Sequence, residues 1–308
     1  MAIINFIWDG KTKTPAGSTT NYYQGASNGY FRPTGYSEEW TGSNLTYYFS
    51  DSVLPTSGTL NSYTHVREAG VFSWSITGLS TVIPANSTYE LLIQEMVKGK
   101  DDWYGNSLNN FFYFSVGGDT YHGGDGIDTV DMFLKKSQLV TSTTKYTKQT
   151  NGNIQVGFVN NITVNLDSVE RVKFSDVSIA LDIDGNAGKA AKVLGAVFGA
   201  SSLSNKDFVG IALSFLDAGM EYKTLLDLAL TAKLGQNYTA EAEIKLLYSN
   251  VFNIVPGTST LEVLKGLIDN NYCSKSELAH IISESSNNQL NVNLIGLAQT
   301  GIEYIPFE

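Results

Sequence analysis

The pattern of apolar and polar positions changes twice along the chain. Over residues 1–95, short stretches rich in aromatic and β-branched residues (Leu45–Phe49, Gly70–Ile76 and Tyr89–Ile93) alternate with turn signals. The turn signals are Asn28-Gly29, Pro33-Thr34-Gly35, Thr56-Ser57-Gly58 and Pro84-Ala85-Asn86. Strands at this spacing predict a β-sandwich-like N-terminal module. Residues 96–186 are glycine-rich at first and continue into the β-like segments Ile154–Val159, Ile162–Leu166 and Val169–Phe174. From residue 187 the period becomes helical. Phe208, Ile211, Ala212, Phe215 and Leu216 fall on one face of a helix, as do Ile244, Leu247, Tyr248 and Val251, and then Leu278, Ile281 and Ile282. Ser259 with Glu262 and Ser274 with Glu277 both have capping-box spacing, and Gly235 supplies a stop. Six or seven helices joined by short loops are expected, with apolar stripes that form a core.

The glycine-rich region holds a nine-residue repeat. Residues 123–131 fit G-G-x-G-x-D-x-U-x, where U is a large apolar residue, at every position. Stepping back by nine keeps the register. The sixth position reads Asp101, Asn110, Asp119 and Asp128, and the eighth reads Trp103, Phe112, Tyr121 and Val130. Each unit is a turn followed by a short strand. Glycine permits the positive φ of the turn, and the eighth residue points inward. Two units complete one coil, so loops eighteen residues apart stack. Stacked carboxylates repel unless a cation lies between them, and calcium takes six to eight oxygen ligands.

These four units resemble the RTX repeats of calcium-binding secreted bacterial proteins. Residues 169–188 and the runs Phe208–Met220 and Leu294–Pro306 look like the helical domain of unknown function that follows such repeats. The resemblance spans roughly residues 96–308. It implies a multidomain α+β protein, in which an N-terminal all-β module (1–95) precedes a short parallel β-roll with following strands (96–186). An all-α helical domain carrying a C-terminal secretion signal (187–308) completes it. The resemblance also implies calcium (Ca2+) held by Asp101 with Asp119 and by Asn110 with Asp128, with Asp125 accessory. The Asn110 pair has one charge fewer and is expected to be the weaker. Export is expected by type I secretion, which needs no N-terminal signal peptide. The opening residues agree, since their apolar run is short and Asp9 interrupts it.

A second stretch, Asp182, Asp184 and Asn186, matches the first half of an EF-hand loop. The pattern then fails at Gly188 and Val193, so a helix-capping turn is the competing reading.

Composition narrows the function. Charged residues are only 16%, and the net charge is −10. A chain short of clustered Lys and Arg is not built for nucleic acid. No stretch is long and apolar enough to span a membrane. The single cysteine, Cys273, excludes an internal disulfide. Bound metal is one substitute staple.

Motifs for catalysis are scarce. Gly25, Ser27 and Gly29 have the spacing of a nucleophile elbow, but Tyr30–Pro33 cannot open the helix that motif requires. The three histidines, His65, His122 and His280, form no H-E-x-x-H. Asn44, Asn86, Asn161 and Asn237 lie in N-x-S/T sequences. No enzyme activity is expected. The expectation is an extracellular or cell-surface structural protein that self-assembles as a homo-oligomer or polymer, in a surface layer, sheet or filament. The alternatives are an adhesin that binds cell-surface glycan through exposed Tyr and Trp, or a secreted hydrolase.

Overall fold

The structure is a computed structural model. It describes the backbone of residues 3–8, 21–24, 28–32, 36–47, 55–67, 72–82, 99–114, 118–139, 146–148, 153–157 and 163–307. Side chains are described for 99–114, 118–137, 153–156 and 163–307. Among the described residues the chain is α+β, with mixed sheets in its first part and eight α-helices between Asn186 and Thr300. It divides into two compact units, Met1–Lys173 and Phe174–Glu308.

In the first unit, strands β1 (Ile3–Trp8), β2 (Asn21–Gln24), β3 (Asn28–Arg32), β4 (Tyr36–Tyr47), β5 (Pro55–Arg67) and β6 (Phe72–Val82) precede the repeat. Their backbones pair antiparallel in the order β2-β3-β4-β5-β6-β1. Much of the module expected over 1–95, including Tyr89–Ile93 and Ser27, lies outside the described residues.

The repeat forms two short parallel stacks. One contains β7 (Asp102–Tyr104), β9 (Thr120–His122) and β13 (Thr163–Asp167). The other contains β8 (Phe111–Tyr113), β10 (Thr129–Asp131) and β14 (Arg171–Lys173). Asp102 pairs with Thr120, and Phe111 with Thr129, so both stacks have an eighteen-residue step. Two further strands, β11 (Tyr146–Lys148) and β12 (Ile154–Gly157), pair antiparallel on the outer side of β13. The inward positions carry the core. Phe112, Tyr121, Val130 and Val172 are fully buried, and Leu166 nearly so. Trp103 stacks on Tyr121 at 5.9 Å between ring centroids, and Phe112 meets the same ring edge-on at 5.6 Å. Alternation with a period of two therefore turns one apolar residue inward in each three-residue strand, and both Val164 and Leu166 inward in β13.

Glycine has a specific use in the turn before β10. Gly124 and Gly126 have φ of +99° and +114°. A Cβ at the first would collide with the Asn106 carbonyl, and at the second with Leu108. The left-handed backbone and the close approach of the previous coil both require the missing side chain.

The second unit is a helical bundle with a small β edge. Strand β15 (Ser178–Ala180) pairs antiparallel with β16 (Ile302–Tyr304). Helix α1 (Asn186–Phe198) is central, and its small residues Ala187, Ala190, Ala191 and Ala196 are fully buried. Around it lie α2 (Lys206–Asp217), α3 (Tyr222–Leu234), α4 (Ala240–Phe252), α5 (Thr258–Asp269), α6 (Lys275–Ser283), α7 (Ser286–Asn291) and α8 (Leu294–Thr300). The end of α1 is held by Asn250, whose amide donates to the carbonyls of Ala196 and Val197, both at 2.9 Å.

Three local details differ from the sequence pattern, the simplest being Ile281, which is exposed on α6 while Leu278 and Ile282 are buried. Helix α2 buries Val209, Ala212, Leu213 and Leu216, and its Phe208 is exposed. The inward face is rotated by one residue because Gly210 packs directly on the Ile305 backbone. Ser259 lies inside α5, which Gly257 precedes with no side-chain cap. The Ser274–Glu277 capping box is present at α6.

Candidate metal centre

The residue that precedes each strand sets the chemistry of the coil edges. On one edge, the Asp101 N–H donates to Asp119 Oδ1 at 3.1 Å. On the other, the Asn110 N–H donates to Asp128 Oδ1 at 2.6 Å. All four of these residues are buried, with exposures of 0–2%. Their burial follows from position, since each sits one residue before an inward-packed strand. A carboxylate at such a place needs donors or a cation.

The edges satisfy that need differently. Asp119 collects protein donors on both oxygens. Oδ2 accepts from Trp103 Nε1 at 3.1 Å, and the Tyr121 hydroxyl, 3.2 Å from the Tyr113 carbonyl, is 3.4 Å from the same oxygen. Asn110 is engaged within its own loop, where Oδ1 accepts from the Asn106 N–H at 2.7 Å and Nδ2 donates to Asn106 Oδ1 at 3.1 Å. Asp128 Oδ2 is buried and has no hydrogen-bond partner among the described residues, and on the other edge Asp101 Oδ2 is buried as well. Burial pushes the Asp128 carboxyl up to about 7, against the pull of the Asn110 N–H and with help from the charges of Glu170 and Asp125.

A third rung continues this edge. The register of β10 with β14 pairs Thr129 with Arg171, so Glu170 takes the place that Asp128 has one coil earlier. The Asp128 N–H donates to Glu170 Oε2 at 2.8 Å, the same link as in the two rungs before it. The opposite edge ends differently, since the pairing of Thr120 with Asn165 puts the apolar, buried Val164 after Asp119. Sequence reasoning missed Glu170 because the turn before it is three residues, Ser168 to Glu170, and not a nine-residue unit. The available signal was an acid directly before the alternating run Arg171-Val172-Lys173.

Carbonyls approach the same edge. A Cβ at Gly123 would overlap both the Ser168 carbonyl and Asp128 Oδ2, and one at Gly105 would overlap the Gly123 carbonyl and Asn110 Oδ1. The cradle therefore offers a bare carboxylate oxygen beside main-chain oxygens, the donor chemistry of a hard cation. Among the described residues, no three His, Cys, Asp or Glu side chains gather as a metal group.

The remaining candidates are elsewhere. Asp125 is exposed in the Gly124–Gly126 turn. Asp182 Oδ2 accepts from the N–H groups of Asn186 and Ala187 at 2.7 and 3.3 Å, which satisfies the first turn of α1. Asn186 Nδ2 donates to Asp217 Oδ1 at 3.0 Å, and Asp184 is exposed. His122 is on the outer face, stacked on Tyr104 at 4.4 Å and with Nδ1 2.8 Å from Asp167 Oδ2. None of the helices among the described residues is long and apolar enough to cross a membrane.

The chain matches no protein-family model, and no curated protein or solved structure is significantly similar to it.

Proposed function

We propose that this chain is a secreted structural protein whose calcium-binding coil, related to RTX repeats, holds the subunit in the form that self-assembles outside the cell. One observation carries the reading. Buried Asp and Asn residues stack at an eighteen-residue step, and the buried Asp128 Oδ2 has no donor among the described residues. A buried bare carboxylate opposes folding unless something neutralises it. Calcium supplies the charge and accepts the nearby carbonyls as further ligands. Two coils with one or two inward apolar residues per strand are few for independent stability, so metal binding is coupled to folding.

Assembly is supported by the surface. Charge is sparse, and large apolar side chains are exposed on the helical unit, among them Val255, Tyr272, Ile281 and Ile295. Such a surface suits contact with further copies of the chain. The homo-polymeric state, export by type I secretion and the all-β character of 1–95 belong to the same proposal.

Negative-stain microscopy in calcium and after chelation tests it. Ordered sheets or filaments that dissolve on chelation are expected. Monodisperse particles under both conditions would remove the structural role.

A further inference from the structure

Resting on the calcium reading, we infer that the coil binds its cation chiefly on the Asn110 edge, with Asp128 and Glu170 as the charged ligands and the Ser168 carbonyl between them. The two acids are adjacent rungs of one stack, joined by the Asp128 N–H to Glu170 Oε2 bond at 2.8 Å. Asp128 is fully buried, and its second oxygen lies against Gly123 together with the Ser168 carbonyl. Gly123 is required there, since any side chain would fill the space between these oxygens.

Repeat spacing alone ranks this edge as the weaker, because Asn110 replaces an acid. Glu170 reverses the ranking by returning the missing charge one rung later. The Asp101 edge also buries a carboxylate oxygen, Asp101 Oδ2, but it has no such continuation, and both oxygens of its partner Asp119 already accept protein donors. A cation there would have to displace Trp103 Nε1 from Asp119, which forfeits a hydrogen bond already made.

The arrangement also gives the cation a role that a contiguous repeat would not. Glu170 follows residues 132–162, which interrupt the coil. A metal shared by Asp128 and Glu170 ties the strands before that interruption to β14 after it. Binding therefore orders the return of the chain and not only one turn.

Calorimetric titration of the full chain with calcium chloride tests the assignment, using wild type, Glu170→Gln and Asp119→Asn. Gln retains an oxygen to accept the Asp128 N–H, so the rung is kept while the charge is lost. The expected result is saturable binding by wild type and a loss of at least roughly 10–100-fold in affinity for Glu170→Gln, since losing a ligand charge costs no less than losing a group that only supports a ligand. Asp119→Asn is expected to titrate close to wild type. Glu170→Gln binding as tightly as wild type would overturn the inference and leave the calcium reading standing. A greater loss in Asp119→Asn than in Glu170→Gln would move the site to the other edge. A silent wild type would overturn the calcium reading itself.

Discussion

Asp128 concentrates the energetics of the coil in one carboxylate. It is buried, its carboxyl is pushed up to about 7, and one oxygen lacks a donor among the described residues. Asp128→Asn should act with opposite signs in two buffers. In chelator the variant should melt higher than wild type, because an uncompensated buried charge is gone. In calcium it should melt lower, because a ligand is gone. Paired thermal scans with and without calcium would show this crossing, and parallel shifts in both buffers would refute it. Glu243 is the comparable residue of the helical unit. It is fully buried in the first turn of α4, and neither oxygen has a partner among the described residues. Burial raises its carboxyl to about 8, with Lys275 opposing the shift and Asp227 adding to it, and burial together with the Glu243 charge pushes the Tyr238 hydroxyl up to about 12. A carboxyl raised on folding stabilises most below its unfolded value and loses that contribution as pH rises through its folded value. The helical unit should therefore lose stability between pH 4.5 and about 8. Glu243→Gln should flatten that dependence in chemical denaturation followed by circular dichroism. An unchanged pH slope would mean that Glu243 is solvated.

At the scale of elements, local signals and long-range pairing differ in strength. The Ser274–Glu277 box closes α6 with reciprocal bonds of 3.1 and 2.8 Å. Ser274→Ala should cost about 1 kcal/mol in urea unfolding, as for other N-caps. A cost near zero would show that α6 is held by packing alone. Helix positions and the eighteen-residue step were readable from the sequence because both repeat within a few residues of themselves. The α2 face was misread by one residue, since Gly210 touches Ile305 nearly a hundred residues away and no local pattern records that contact. Glu170 escaped for a related reason. Its rung is set by β10 pairing with β14 across residues 132–162, and the shortened turn breaks the nine-residue count. The satisfaction of Asp119 by Trp103 was equally hidden, because an apolar slot in the repeat says nothing about the polar end of an aromatic side chain.

At the scale of the whole molecule, the coil and the helical unit differ in what stabilises them. The helical unit has an extensive apolar core around α1, while the coil has only one or two inward apolar residues per strand. The coil should therefore depend on calcium and the helices should not. Amide hydrogen exchange in calcium and in chelator compares the two within one sample. At free calcium about 100-fold above its dissociation constant, binding adds about 2.7 kcal/mol to the bound state, or about 100-fold in protection. The account predicts that gain in residues 101–131 and 163–173, with α1–α4 exchanging equally in both buffers. Identical exchange across residues 101–131 with and without calcium would contradict it.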